Sequence, residues 1–230
     1  MRFFVDFLRL FYPNLCINCS DHLLFSEKVL CTICSNDLPT ITIDDYKNNF
    51  VTNTLYGKIK IESGASFLYF KKGNISQKLI HNLKYNGRQD IGLFLGNWFG
   101  YQLKENKVFK DVDYIIPVPI HLKKKRKRGY NQVDSFCKCI SDVLQITYIP
   151  NLLTKVTNNT SQTFKTRFER SKDLAHNFKL TDVSFLKNKH VLLVDDVITT
   201  GATLESCCKE LLKTEKLKIS ILSIAFTSDS

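Results

Sequence analysis

The most informative segment for predicting the fold is HVLLVDDVITTGATLESCCKELLKT, residues 190–214. Apolar residues run into two adjacent aspartates, hydroxyl groups then surround Gly201, and leucines at helical spacing follow. The pattern predicts a buried strand over 191–194, a short turn, and a helix over 202–214. A strand with consecutive apolar residues is typical of a parallel sheet that helices cover on both faces.

The segments before and after this stretch alternate between strand and helix patterns. Strands are predicted at 66–70, 113–119, 148–153 and 219–226, and helices at 75–85, 92–103 and 131–145. We therefore expect residues 63–230 to form an α/β domain, a parallel sheet flanked by helices. Residues 41–62 are polar and irregular, and are interpreted as a connector that ends in one or two strands.

Four cysteines within the first 40 residues have the spacing of a metal site. They follow the pattern C-x2-C-x11-C-x2-C and are Cys16, Cys19, Cys31 and Cys34. Four thiolates at such spacing suit tetrahedral zinc, and because four sulfurs leave no open position the ion would be structural. Residues 1–40 are thus predicted to form a zinc-ribbon-like module. The alternative is four unrelated thiols, and His22 offers a substitute ligand, although an exposed loop histidine is the simpler reading.

Composition indicates a globular chain with an anionic partner. Of the 230 residues 43% are hydrophobic and 24% charged, and Lys plus Arg exceed Asp plus Glu by 33 to 22. The N-terminal segment MRFFVDFLRLFYP is interrupted by Asp6 and Arg9 and predicts an amphipathic helix, with a membrane-surface helix as the alternative. Without a secretion signal or a run long enough to cross a bilayer, we expect a cytoplasmic location, no stable membrane insertion, and reduced or metal-bound cysteines.

The two aspartates and the turn after them suggest a ligand site. In open α/β sheets ligands bind beyond the carboxyl ends of the strands, and a helix N-terminus there attracts anions. The hydroxyls of Thr199, Thr200 and Thr203 would help to hold a phosphate, whereas adjacent carboxylates would repel it and suit hydroxyls or a bound metal. A sugar phosphate satisfies both requirements. The alternative is a solvated loop with an aspartate cap after a buried strand.

These residues carry a resemblance to a known family. VLLVDDVITTGAT resembles the phosphoribosyl pyrophosphate (PRPP) loop of type I phosphoribosyltransferases. The whole chain is similar to the ComF family of competence-associated, amidophosphoribosyltransferase-like proteins. The similarity rests on the four cysteines, KYNG at 84–87, IIPVPIH at 115–121, RKRGYNQ at 126–132, SQT at 161–163 and the PRPP loop.

The resemblance implies a type I phosphoribosyltransferase fold that binds PRPP with Mg2+. The implied PRPP-binding residues are Asp195, Asp196, Val197, Thr199, Thr200, Gly201, Ala202 and Thr203, with the two aspartates as the catalytic carboxylates. The turn of Pro117, Val118 and Pro119 would lead into the pyrophosphate site. Lys84 and Tyr85 are candidates for the wall of the cleft.

Two basic segments extend this expectation. The run Lys123–Arg128 follows a strand end, and Arg126 and Arg128 are candidates for gripping pyrophosphate. Six cations exceed what one pyrophosphate needs, so contact with nucleic acid stays open, as does a nuclear-localisation motif. The polar stretch 154–177 is a candidate lid with Gln162, Lys165, Arg167 and Arg170 reaching the pyrophosphate, or else an exposed loop.

Two functions follow from the sequence. The first is an enzyme that transfers ribose 5-phosphate from PRPP to an unidentified nitrogen acceptor and releases pyrophosphate. The second is a non-catalytic module with the same fold, which binds single-stranded DNA or a helicase during DNA uptake. The second rests on the net charge of +11, the basic run, and aromatic residues such as Tyr130 that could stack on bases.

Overall fold

The computed structural model describes residues 13–156, 178–181 and 184–227. The predicted N-terminal helix and the lid candidates Gln162, Lys165, Arg167 and Arg170 lie outside these ranges. Within the described residues no helix has both the length and the apolarity to cross a membrane.

Seven strands form two sheets. In chain order they are β1 (Gly64–Tyr69), β2 (Tyr114–Pro117), β3 (Thr147–Tyr148), β4 (Leu153–Lys155), β5 (Phe178–Leu180), β6 (His190–Ile198) and β7 (Lys218–Phe226). The main sheet has the order β1-β7-β6-β2-β3 and all its strands are parallel. The antiparallel pair β4–β5 lies apart from it. The central position of β6 confirms the interpretation of its apolar run, because a central strand is buried on both faces.

Helices cover both faces of the main sheet. They are α1 (Thr32–Asn36), α2 (Phe50–Asn53), α3 (Ile75–Tyr85), α4 (Asp90–Glu105), α5 (Leu122–Arg128), α6 (Asp134–Leu144) and α7 (Ala202–Leu211), with a 3-10 turn at Ser184–Leu186. One apolar core joins α3, α4 and α6 with the cysteine-rich segment. The other contains residues from α2, α7 and the β4–β5 pair. The predicted parallel sheet flanked by helices is confirmed.

Close packing between α4 and α6 depends on glycine. A Cβ added at Gly96 would lie 2.9 Å from the Cβ of Cys139 and 3.0 Å from the backbone oxygen of Phe136. The two helices therefore approach more closely than any larger residue at this position would permit. This contact fixes α6, and with it the turn before α6 that contributes to the site described below.

Several predicted bounds were wrong. The strand at 148–153 is two separate strands, because Pro150 between them has no N–H to continue a ladder. The strand beginning at His190 continues past both aspartates to Ile198, and the helix predicted to residue 214 ends at Leu211.

The connector also differs from its prediction. Instead of one or two strands it contains the short helix α2, whose N-terminus is capped by Asn49. The Asn49 side chain accepts from the backbone N–H groups of Val51 and Thr52, while the Thr52 hydroxyl accepts from the Asn49 N–H. This reciprocal capping stabilises a single helical turn that shows no periodicity of its own.

Candidate functional site

A cleft of about 240 Å3 opens beyond the carboxyl ends of β2 and β6. Acidic and basic side chains line it together: Asp195 and Asp196 from β6, and Lys84, Lys124, Arg128 and Lys155 from three other segments. Tyr85, Val118, Pro119 and Thr203 complete much of the wall. The predicted cleft residues Lys84 and Tyr85 are thus confirmed as lining, and cations from distant parts of the sequence meet the two carboxylates at one edge of the sheet.

The turn after β6 forms the start of α7. Gly201 adopts a left-handed conformation with φ of +71° and precedes the first helical residue, Ala202. A smaller cavity of about 30 Å3 is lined by Val197, Thr199, Thr200, Gly201, Ala202 and Thr203, together with Asp195. Gly201, at the N-cap, has no side chain to cap α7, and the Ala202 N–H makes only a long hydrogen bond of 3.5 Å to the Thr200 hydroxyl. Such a weakly capped helix N-terminus attracts anions.

Asp195 is held in an unfavourable environment for a charge. Burial raises its pKa, and the charge of Asp196 raises it further. The backbone N–H of Asp196 and the ammonium groups of Lys84 and Lys155 act to lower the pKa, but it remains raised at about 7. That N–H donates to Asp195 Oδ1 at 2.8 Å. Two adjacent carboxylates at the edge of a core are costly to keep, and such perturbed groups in a cleft are candidates for function.

Asp196 has two direct partners. The Lys84 ammonium lies 2.9 Å from its Oδ2, and the Gln132 amide donates to the same oxygen at 2.6 Å. Asp196 is buried, so these partners supply the polar contacts that water cannot. Both are displaceable by a ligand that offers a cation or hydroxyls to Asp196 and an anion to Lys84.

The basic run forms a helix that the sequence analysis did not predict. α5 contains Leu122–Arg128 and buries none of its residues, so it has no apolar periodicity to reveal it. It ends at Gly129, whose φ is +85°. Helical spacing turns Lys124 and Arg128, four residues apart, toward the cleft. Lys123, Lys125, Arg126 and Lys127 are exposed and are not among the residues that line it.

Arg128 is fixed by two neighbours at the cleft mouth. Its guanidinium lies 5.3 Å from the ring centroid of Tyr85 and donates to the Gln132 amide oxygen. Tyr85 is 66% exposed and is therefore an aromatic surface open to a ligand. Tyr130, in contrast, is partly buried and donates its hydroxyl to the Leu83 backbone oxygen at 2.6 Å. Its contact ties the turn after α5 to α3.

Among the described residues, two of the remaining predicted pyrophosphate residues line the cleft and two do not. Pro117 is the last residue of β2, paired with Val194, and Val118 donates its N–H to the Val194 oxygen at 2.8 Å. Val118 and Pro119 line the cleft, whereas Pro117 and Arg126 are not among its lining residues.

Two cleft residues escaped the sequence analysis. Gln132 belongs to the RKRGYNQ motif but carried no assigned role, and Lys155 ends an unrecognised short strand. Gln132 was detectable in principle because the motif places a polar side chain just before a helix. Lys155 had no local signal, because its place in the cleft wall depends on the fold and not on its neighbours in the sequence.

The four predicted zinc ligands converge. Their sulfur atoms all lie within 4.8 Å of one another, and Cys19 and Cys31 are separated by 3.7 Å between sulfurs. Bonds of about 2.3 Å in a tetrahedron give sulfur–sulfur edges of about 3.8 Å, so the cluster could hold zinc. Burial acts to raise the pKa of Cys16, but backbone N–H groups outweigh it and lower the pKa to about 6. His22 is exposed and does not belong to the cluster.

The cysteine module also supports the cleft. Lys78 of α3 donates to the Asn18 backbone oxygen at 2.8 Å, and Cys16 and Cys34 are buried in the same core as α3. α3 carries Lys84 in its last turn. Interactions that hold the four sulfurs together therefore also help to position α3, whose Lys84 contacts Asp196.

Comparison with known proteins agrees with these observations. The Phosphoribosyl transferase domain family matches residues 138–229, which include the two aspartates and the turn after them. The chain is 28% identical over 138 residues to the DNA utilization protein YhgH of Escherichia coli strain K12, covering 59% of this chain and 60% of that protein. It is 32% identical over 123 residues to Competence protein F of Haemophilus influenzae, covering 53% and 54%.

The match thus spans about 60% or less of the length of these relatives. Among solved structures, adenine phosphoribosyltransferase from Saccharomyces cerevisiae is similar with 16% identity and a TM-score of 0.39, over 66% of this chain and 73% of that one. Residues 138–229 thus match the Phosphoribosyl transferase domain family, and the chain is similar over part of its length to proteins named DNA utilization protein and Competence protein.

Proposed function

We propose that the chain binds PRPP with Mg2+ in the cleft and transfers ribose 5-phosphate to a nitrogen acceptor, releasing pyrophosphate. The observation that carries the proposal is the meeting of a carboxylate pair with a weakly capped helix N-terminus and four cations at one sheet edge. Each part suits a different group of the same ligand. A sugar phosphate alone would leave the additional cations without a partner.

The residues divide the ligand between them. The 5-phosphate would lie against the N–H groups and hydroxyls of Thr199–Thr203, and the ribose hydroxyls would face Asp195 and Asp196. Lys84, Lys124, Arg128 and Lys155 would hold the pyrophosphate. Carboxylate oxygens are ligands that Mg2+ prefers, so the aspartate pair fits this ion. When bound, Mg2+ would neutralise part of the charge on the leaving pyrophosphate.

The chain's own contribution would be electrostatic. As the bond from the ribose carbon to pyrophosphate breaks, the cations stabilise the departing oxygens and the carboxylates favour positive charge on the sugar. The Lys84–Asp196 pair must open for this, because pyrophosphate competes for Lys84 and the sugar or its metal competes for Asp196. No described residue is assigned as a general base, and the acceptor is left as a nitrogen nucleophile.

The test is calorimetric titration with Mg–PRPP, paired with a pyrophosphate-release assay over a panel of bases and amines. Asp195→Asn combined with Asp196→Asn should abolish PRPP binding. Asp44→Asn with Asp45→Asn removes the same two charges from an exposed adjacent pair and should leave binding unchanged. Unaltered binding by the first variant would refute the site, and no release with any acceptor would refute the transfer.

The relatives' names support a role in DNA uptake, and the structure offers a surface for a second candidate function. Lys123, Lys125, Arg126 and Lys127 are exposed, and none of them forms an ion pair with another described residue. A non-catalytic module that binds single-stranded DNA or a helicase would use this surface. For either function we propose a cytoplasmic location and a structural zinc ion in the cysteine cluster.

The two functions are separable by one surface variant. Alanine at Lys123, Lys125, Arg126 and Lys127 should reduce an electrophoretic shift with single-stranded DNA, and that shift should weaken steeply with salt. Alanine at Lys187, Lys213, Lys216 and Lys218 removes equal charge elsewhere and should preserve the shift. A shift lost equally in both variants would show only the effect of net charge.

A further inference from the structure

A second cleft lies in the connector, away from the carboxylate pair. It measures about 510 Å3 and is formed by residues 47–61 around α2. We name it the connector cleft. Its size falls within the range of about 300–1,000 Å3 that small-molecule sites occupy. None of its lining residues lines the cleft of Asp195 and Asp196.

Three lysines give the connector cleft a positive wall. Lys47 forms no ion pair with another described residue. Lys60 lies 3.8 Å from Glu62 and its side chain is 88% exposed, so that pair is weak. Lys58 lies 3.4 Å from Glu205 and is about half exposed. An anion with several oxygens would find three ammonium groups there, two of them almost uncompensated.

The same cleft presents an aromatic ring and amides. Tyr56 is 83% exposed, so the face of its ring is accessible to a planar ligand. Ile59 and Ile61 provide an apolar floor, and the side chains of Asn48 and Asn53 offer donors and acceptors. A planar heterocycle could stack on Tyr56 and bond to an amide, while its charged tail reaches the lysines.

We propose that the connector cleft binds a nucleotide, with the base on Tyr56 and the phosphates on Lys47, Lys58 and Lys60. Inorganic phosphate would use only the lysines, and an uncharged base only the ring and the amides. A nucleotide uses all of these groups and matches the cleft in size.

Two contacts link the connector cleft to the proposed phosphate loop. Thr54, one turn of chain before Gly57, packs so closely on the loop that a Cβ added at Gly201 would lie 2.5 Å from its Cγ2. Lys58 pairs with Glu205 in the first turn of α7. A nucleotide that draws Lys58 toward its phosphates would leave Glu205 paired only with Lys209, at 2.6 Å within α7, and would remove this ion-pair link between the connector and that helix. The site is thus positioned to regulate the loop, although nucleotide binding itself does not depend on PRPP.

The test is fluorescence anisotropy of the full chain with a 2′/3′-N-methylanthraniloyl ADP probe, and unlabelled ADP as competitor. Lys47→Ala with Lys60→Ala should weaken binding at least tenfold, because two of the three ammonium groups of the cleft are lost. Lys104→Ala with Lys110→Ala removes the same charge from another basic cleft and should leave affinity unchanged. Equal weakening in both variants would overturn the proposal in favour of general charge attraction.

Two further variants assign the base and the site. Tyr56→Ala should weaken probe binding several-fold, whereas Tyr101→Ala, which removes another exposed tyrosine on α4, should not. Asp195→Asn with Asp196→Asn should retain probe binding, which separates this site from the PRPP cleft. Loss of binding in that last variant, or full affinity in the Lys47–Lys60 variant, would overturn the proposal without bearing on PRPP transfer.

Discussion

The two edges of the main sheet treat a carboxylate in opposite ways. At the amino edge, Asp113 accepts from the Lys189 ammonium at 2.9 Å and from the His190 N–H at 2.8 Å. Burial acts to raise its pKa, but these donors outweigh it and the pKa is lowered. At the carboxyl edge Asp195 faces a second carboxylate, and its pKa is raised to about 7. The charge of Asp113 is thus compensated within the protein, which stabilises the fold. The charge of Asp195 is not fully compensated and is available to a ligand.

The largest effect is expected from the cysteine cluster, which helps to hold α3 and its Lys84 against the acidic edge. Cys16→Ser with Cys34→Ser should reduce bound zinc from about one ion per chain to none, because two of four ligands are lost. Metal analysis and PRPP titration measure the result, with PRPP affinity falling as α3 loosens. Cys139→Ser, at a partly buried thiol outside the cluster, should retain zinc. If the double variant retained zinc, the four-cysteine cluster would not be the zinc site.

The next prediction is that neutralising one carboxylate at each edge changes the free energy of unfolding in opposite directions. At pH 8, Asp113→Asn should lower the free energy of unfolding by about 1–2 kcal/mol, because it weakens hydrogen bonds to an ionised group. Asp195→Asn should raise it, by up to about 4 kcal/mol for a shift of about three pKa units. Thermal or urea unfolding of both variants beside the unsubstituted protein measures these changes.

The pH dependence follows from the two pKa directions. Asp113 has a lowered pKa, so its contribution is present above its unfolded pKa and disappears as pH falls through the lower folded value. Asp195 has a raised pKa, so its penalty is present at pH 8, declines below about 7, and is absent near pH 3. Destabilisation by Asp195→Asn at pH 8 would contradict the picture of an unfavourable buried charge.

The smallest effect concerns ligand affinity. Mg–PRPP should require ionised Asp195, so its affinity should be about tenfold weaker at pH 6 than at pH 8 for a group with a pKa of about 7. Calorimetric titration across this range measures the change. In Asp196→Asn the neighbouring charge is gone, so the residual dependence should move to lower pH. A profile that does not move would reflect titration of the ligand's own phosphates.

Local patterns in the amino-acid sequence were enough to predict much of the fold. The apolar run at β6, the bounds of α3, the cysteine spacing, and the turn of hydroxyls around Gly201 are all local signals, and the structure confirms each of them. The functional assignment of Asp195 and Asp196 came from their place at a strand end followed by a helix, together with a family resemblance. Its test is the PRPP titration above.

The residues that complete the site come from distant segments, and they are brought together only in the folded structure. Lys84, Gln132 and Lys155 lie on three separate segments, and their meeting with the aspartates depends on strand order and on the packing of α3 and α6. The structure also turned a basic run into a helix with Lys124 and Arg128 toward the cleft, and folded the connector into a cleft of its own. Hydrophobic periodicity indicates which face of a segment is buried. The charge environment of a residue is set by its spatial neighbours, which here come from distant parts of the chain.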